Sequence, residues 1–96
     1  MVQARSDSSR PDDSRPELRV VVAWNVRRYR KELGWSQEKV ARMADLSRNT
    51  IGAIEDARDP EKSENDTRLD TLEQVANGLG IEAWKLLVWD PEAPRV

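Results

Sequence analysis

Between Ser36 and Arg58 the chain reads SQEKVARMADLSRNTIGAIEDAR, and here residue type and spacing first suggest a chemistry. Ile51 and Ile54 share one side of a helix, which turns Arg48, Asn49, Gly52 and Ala53 outward. An arginine and an asparagine on the free face of a short helix, preceded by a second short helix and a four-residue turn, match the geometry that lays a helix in the major groove of DNA. Covalent catalysis finds no comparable support. The chain has no cysteine and no histidine, which removes the usual zinc ligand sets and Cys/His nucleophiles. It also lacks a phosphate-cradling glycine loop and a nucleophile–base pair, so no enzyme activity, metal or cofactor is expected.

The formal net charge of −2 argues on its face against a polyanionic partner. The distribution of charge reverses that inference. From Leu18 to Arg58 nine basic residues face five acidic ones, whereas from Asp59 onward nine acidic residues face four basic ones. Such a split is expected if only one face of the molecule meets a polyanion.

The elements that must position these residues follow from caps and apolar spacing. Pro16-Glu17 suits a helix start, and Val22, Val26, Tyr29 and Leu33 form one stripe up to Gly34, which suits the left-handed position after a last turn. Arg27, Arg28, Arg30 and Lys31 lie toward the end favoured for cations. Val20 and Trp24 extend the apolar face upstream; packing against the C-terminal helices is the simpler account, dimer contact the alternative. Trp35 is expected to link helices one and two in the core. Ser36 caps helix two, whose buried face is Val40, Ala41 and Ala44; Asp45-Leu46 interrupts it, and Ser47 caps helix three.

Past Arg58 the segment DPEKSENDTR holds no apolar residue and is expected to be a mobile, acidic connection. Thr67 with Asp70 resembles a capping box, with Asp70 to Glu73 an alternative start, and Leu72, Val75, Ala76 and Leu79 give helix four its face before Gly80. A last helix is expected from Glu82 to about Val88, stopped by Asp90-Pro91. Residues 1–17 are too polar to order and form an expected disordered tail. A DNA-binding arm is disfavoured there, because its three arginines are interleaved with Asp7, Asp12 and Asp13. The expectation is one domain over residues 18–89 and a loose tail over 90–96. No apolar run nears the ~20 residues of a membrane span, and no signal peptide is evident, so a cytoplasmic protein without membrane partners is expected.

VRRYRKELGWSQEKVARMADLSRNTIGAIEDARDP, followed by LDTLEQVANGLGIEAWKLL, resembles the lambda-repressor-like (Cro/XRE) helix-turn-helix family. The resemblance runs from about Leu18 to Val88 and rests on Ser36-Gln37, Ala41, Leu46-Ser47, Ile51, Glu55 and Leu79-Gly80-Ile81. It implies an all-α, compact five-helix fold with helices two and three as the motif. It further implies a bacterial or phage repressor-type transcription regulator, binding a double-stranded DNA operator sequence-specifically as a homodimer. Two-fold symmetry then sets half-sites about one helical turn, ~34 Å, apart.

By the same resemblance Gln37 contacts phosphate and braces the recognition helix. Arg48 and Asn49 reach base edges, where an arginine fork suits guanine and an asparagine amide suits adenine. Gly52 and Ala53, on the next turn, imply close approach or contact with a thymine methyl. Ser47 and Thr50 cap the helix, contact phosphate, or do both; Arg58 and, more weakly, Arg42 are phosphate candidates. Arg30 and Glu55 match a structural salt bridge between helices one and three. Three departures stand out: Asp45 where the family pattern usually has glycine, the long acidic loop, and the acids Glu38 and Asp56 near the expected DNA side, which should lower affinity. The alternative function is an antitoxin or protein-interaction module on the same fold, meeting a protein partner through the acidic loop and the Trp-rich C-terminal surface.

Overall fold

The computed structural model describes residues 16–57 and 67–92. Four α-helices follow one another, α1 (Leu18–Leu33), α2 (Gln37–Ala44), α3 (Arg48–Asp56) and α4 (Leu69–Leu79), and a 3-10 helix (Ala83–Leu87) closes the series. The expected N-terminal tail, the acidic connection and Arg58 fall almost wholly outside the described residues.

Local chemistry explains most of the boundaries. Gly34 takes φ +73°, which lets its N–H return to the last carbonyls of α1. The Ser36 hydroxyl accepts from the Lys39 N–H at 3.0 Å and starts α2. Asp45 adopts φ +61°, a left-handed conformation that aspartate tolerates, and the chain turns there; Leu46 N–H then bonds the Ala41 carbonyl at 2.9 Å. Ser47 Oγ accepts from the Thr50 N–H at 3.1 Å, so the turn between α2 and α3 spans residues 45–47, three residues and not the expected four. The expected capping box of α4 is absent. Arg68 is its N-cap without a side-chain cap bond, and the Arg68 guanidinium instead meets Asp70 at 3.3 Å.

The core gathers Val22 and Val26 of α1, Val40 and Ala41 of α2, Ile51 and Ile54 of α3, Leu72, Val75, Ala76 and Leu79 of α4, and Leu86. Tyr29, Trp35, Leu46 and Ile81 pack on its edge, only partly buried. A Cβ on Gly78 would stand 2.8 Å from the Ala44 backbone nitrogen, so α4 can lie this close to the end of α2 only with glycine there. Val20 to Ala23 are all buried, and Trp24 lies 5.5 Å from Trp89, centroid to centroid. The early turns of α1 are thus enclosed by packing against the C-terminal segment.

The expected fifth helix is corrected to a single stretch of 3-10 helix. Asn25, buried in α1, donates through Nδ2 to the carbonyl of Leu86 at 2.8 Å and to that of Val88 at 2.9 Å. The backbone turns extended at Val88, presenting both carbonyls to α1. No described helix is long and apolar enough to cross a membrane.

Candidate nucleic-acid interface

A helix needs a fixed angle before its exposed side chains can meet a ligand in one geometry. Here that angle is held by one buried carboxylate. Glu55, 0% exposed, accepts from Arg30 in a fork, Nε to Oε2 at 2.7 Å and Nη2 to Oε1 at 2.8 Å. The third arm of the same guanidinium, Nη1, donates to the Trp35 carbonyl at 2.9 Å, which ties the connection between α1 and α2 into the pair. Arg27 adds a longer ion pair at 3.6 Å, and Gln37 Nε2 donates to Glu55 Oε1 at 3.1 Å. Three helices therefore converge on one carboxylate.

The electrostatics follow from that convergence. Burial pushes the Glu55 carboxyl upward, but the hydrogen bonds from Arg30 and Gln37 and the charges of Arg30 and Arg27 together hold it below the usual carboxylate value. The Arg30 guanidinium is raised, because its hydrogen bond and charge interaction with Glu55 outweigh burial. Both stay charged at neutral pH.

This clamp also dictates how Gln37 faces outward. An ionised carboxylate only accepts, so the amide nitrogen must point at Glu55. The Gln37 oxygen then lies over α3, 3.7 Å from where a Gly52 Cβ would be. One N–H and the carbonyl oxygen of the amide remain for a ligand.

The outward face of α3 borders two depressions. One, of about 390 Å³, is lined by Gln37, Arg48, Asn49, Gly52, Ala53 and Asp56. The other, of about 310 Å³, lies toward the start of α4 and includes Thr50, Ile54, Thr67, Arg68 and Thr71. Asn49 and Ala53 form the ridge between them, lining both. Arg48 and Asn49 are exposed, while Gly52 and Ala53 are half-buried. Arg48 and Asn49 thus border a floor to which α3 contributes almost no side chain and over which the Gln37 amide lies.

The remaining sequence-predicted residues are placed less uniformly. Ser47 spends its hydroxyl on the Thr50 N–H and sits 2.9 Å from Thr50 Oγ1, which makes the two a cap. Arg42 is exposed on α2 and lines neither depression. Arg58 lies outside the described residues. Two further residues line the depressions, Arg68 and Asp56. Arg68 stands where α4 begins beside Thr50, and only the fold brings it there; Asp56 lies at the end of α3 on its outward side.

Comparison with known proteins adds independent findings. Residues 26–83 match the family model described as helix-turn-helix. The chain is 37% identical over 78 residues to a Neisseria hypothetical transcription factor from Neisseria meningitidis serogroup B, covering 81% of this chain and 66% of that protein, just under two thirds of its length. A crystal structure of a hypothetical transcription factor from Neisseria superposes with a TM-score of 0.65 at 38% identity, over 75% of this chain and 76% of that one. Control protein C.SmaI of Serratia marcescens is 34% identical over 71 residues, covering 74% of this chain and 77% of that protein. The restriction-modification controller protein C.AhdI from Aeromonas hydrophila superposes with a TM-score of 0.61 at 26% identity, over 71% of this chain and 94% of that one.

Proposed function

The chain belongs to the helix-turn-helix family of DNA-binding transcription regulators, and on that premise we propose that it reads an operator with α3, as a homodimer. The observation that carries this reading is the Glu55 clamp: an ion pair joining α1 to α3 and steadying Gln37 holds a helix on which Arg48 and Asn49 stand exposed. Arg48 supplies a fork for guanine O6 and N7, and Asn49 an amide for adenine N6 and N7. Gly52 and Ala53 let the helix settle close to the base edges. Gln37, Thr50, Arg58 and Arg42 meet phosphates and set register without specifying sequence, and Ser47 contributes by capping α3.

Dimerisation follows from size. One helix of this length reads too few base pairs for a specific site, and doubling it across a two-fold axis supplies the rest. The face that suits this carries Trp84, 58% exposed, with Leu87 and Val88 beside it, all solvent-facing in the single chain. Relatives named as transcription factor and control proteins favour regulation over the antitoxin alternative.

Gel-shift titration and footprinting over genomic fragments at low salt test the proposal. The expected result is protection of two half-sites about 34 Å apart, with affinity falling as salt rises. Absence of protection, or binding indifferent to salt, sinks it.

A further inference from the structure

Asp56 closes α3 at a point where nothing in the helix favours an acid. It occupies the last helical residue, next to the negative end of the helix dipole, and α3 has no basic residue in its last turn. No hydrogen bond or ion pair among the described residues engages its carboxylate. An acid so placed would also oppose phosphate binding if it lay at the edge of the interface.

Its phase puts it elsewhere. At about 100° per residue, counted from Arg48, Gly52 stands at about 40°, Asn49 at about 100° and Ala53 at about 140°. Asp56 falls at about 80°, in the middle of that arc, while Glu55, Ile51 and Ile54 fall at about 340°, 300° and 240° on the buried side. Asp56 is exposed and lines the same depression as Arg48, Asn49 and Gly52. Between the two ends of α3 the helix itself contributes no side chain at Gly52 and only a methyl at Ala53, with the Gln37 amide beside Gly52, so the short aspartate has few neighbours on its own helix to hold it away from a base edge.

A carboxylate can only accept, and the major groove offers two donors, the amino groups on cytosine C4 and adenine C6. Adenine carries the acceptor N7 beside its amino group, facing the carboxylate; cytosine carries only C5–H there. Guanine and thymine present acceptors, which an acid repels. We propose that Asp56 is a base-reading residue that selects cytosine, accepting from its N4 amino group, at the opposite end of α3 from the base read by Arg48. Eight residues at about 1.5 Å each separate the two by roughly 12 Å, or three to four base pairs at about 3.4 Å per pair. The inference rests on α3 being the reading helix.

The test uses the full chain. A bound site is first selected from random DNA, and the affinities of wild type, Asp56→Ala and Asp56→Asn are then measured against all four bases at each position. Asp56→Ala is expected to lose about tenfold on the selected site, with discrimination abolished at one cytosine per half-site and retained at the base read by Arg48. That retained discrimination also reports an intact fold. Asp56→Asn is expected to move the preference at that position toward adenine, which suits an amide. If Asp56→Ala binds every sequence more tightly by one common factor, with all base preferences intact, the acid merely repels phosphate and the inference is overturned alone. A wild-type chain that selects no sequence overturns it together with the function it rests on.

Discussion

Helix α1 is held at two places by a polar side chain, and the two attachments differ in kind. Near its C-terminal end, Arg30 reaches a buried carboxylate on α3 through a charged fork. Seven to eight ångströms of helix rise earlier, Asn25 reaches two backbone carbonyls of the C-terminal segment with a neutral amide. A charged fork is planar and directional, so it fixes the angle of α3; an amide gripping main-chain carbonyls fixes position whatever side chains the segment carries. The end next to α3 is held by a buried ion pair, and the end next to the C-terminal segment by an amide whose own oxygen accepts from Arg28 at 3.2 Å. Each attachment therefore has its own way of failing.

The largest difference is expected when one partner is removed from each. Glu55→Ala strands a buried guanidinium and is expected to cost about 3–5 kcal/mol, enough to unfold much of a small domain. Asn25→Ala is expected to cost about 1–3 kcal/mol through two carbonyls left unpaired. Urea melts of the two variants measure this directly, and equal losses would erase the distinction.

Acid should separate the attachments next. Because the Glu55 carboxyl is held below its ordinary value in the folded state, its contribution is complete above the ordinary value and is lost as pH falls through the depressed one. Stability of the wild type should therefore drop on the acid side more steeply than that of Glu55→Gln, while Asn25→Ala keeps the wild-type slope. Melting temperature against pH for the three proteins checks the sign. A Glu55→Gln profile parallel to the wild type would mean the pair carries no such linkage.

The smallest effect is expected at Gln37, between the clamp and the proposed DNA face. Gln37→Ala removes one hydrogen bond to Glu55 and one positioning contact, so binding should weaken by roughly 1 kcal/mol, uniformly across DNA sequences. Fluorescence anisotropy on the preferred site and a scrambled one reads this out. Weakening confined to one base pair would make Gln37 a reader instead.

Much of this could be read in the chain because short-range chemistry decides it. Ser36 and Ser47 cap the helices where hydroxyls suit caps, Asp45 turns the chain as a left-handed residue, and Ile51 and Ile54 set the phase of α3. What stayed hidden depends on partners far away in sequence. Asn25 is one polar residue in an apolar stretch, and nothing local says that it grips carbonyls 61 and 63 residues on, or that the last helix is 3-10. Gly78 looks like a weak helix residue until Ala44 is seen against it. In the candidate site, the outward phase of Arg48 and Asn49 was legible from periodicity alone, whereas the role of Gln37 depended on family resemblance and its amide orientation on the Glu55 carboxylate.

The proposed reading face of α3 is tested most directly by selecting bound sequences from a random DNA library with the wild type and with Arg48→Ala. The expected result is a two-fold-symmetric site for the wild type and, for the variant, loss of preference at one guanine per half-site with the other positions retained. Affinity falling by one factor across all sequences, with every base preference unchanged, would contradict the assignment of base reading to Arg48.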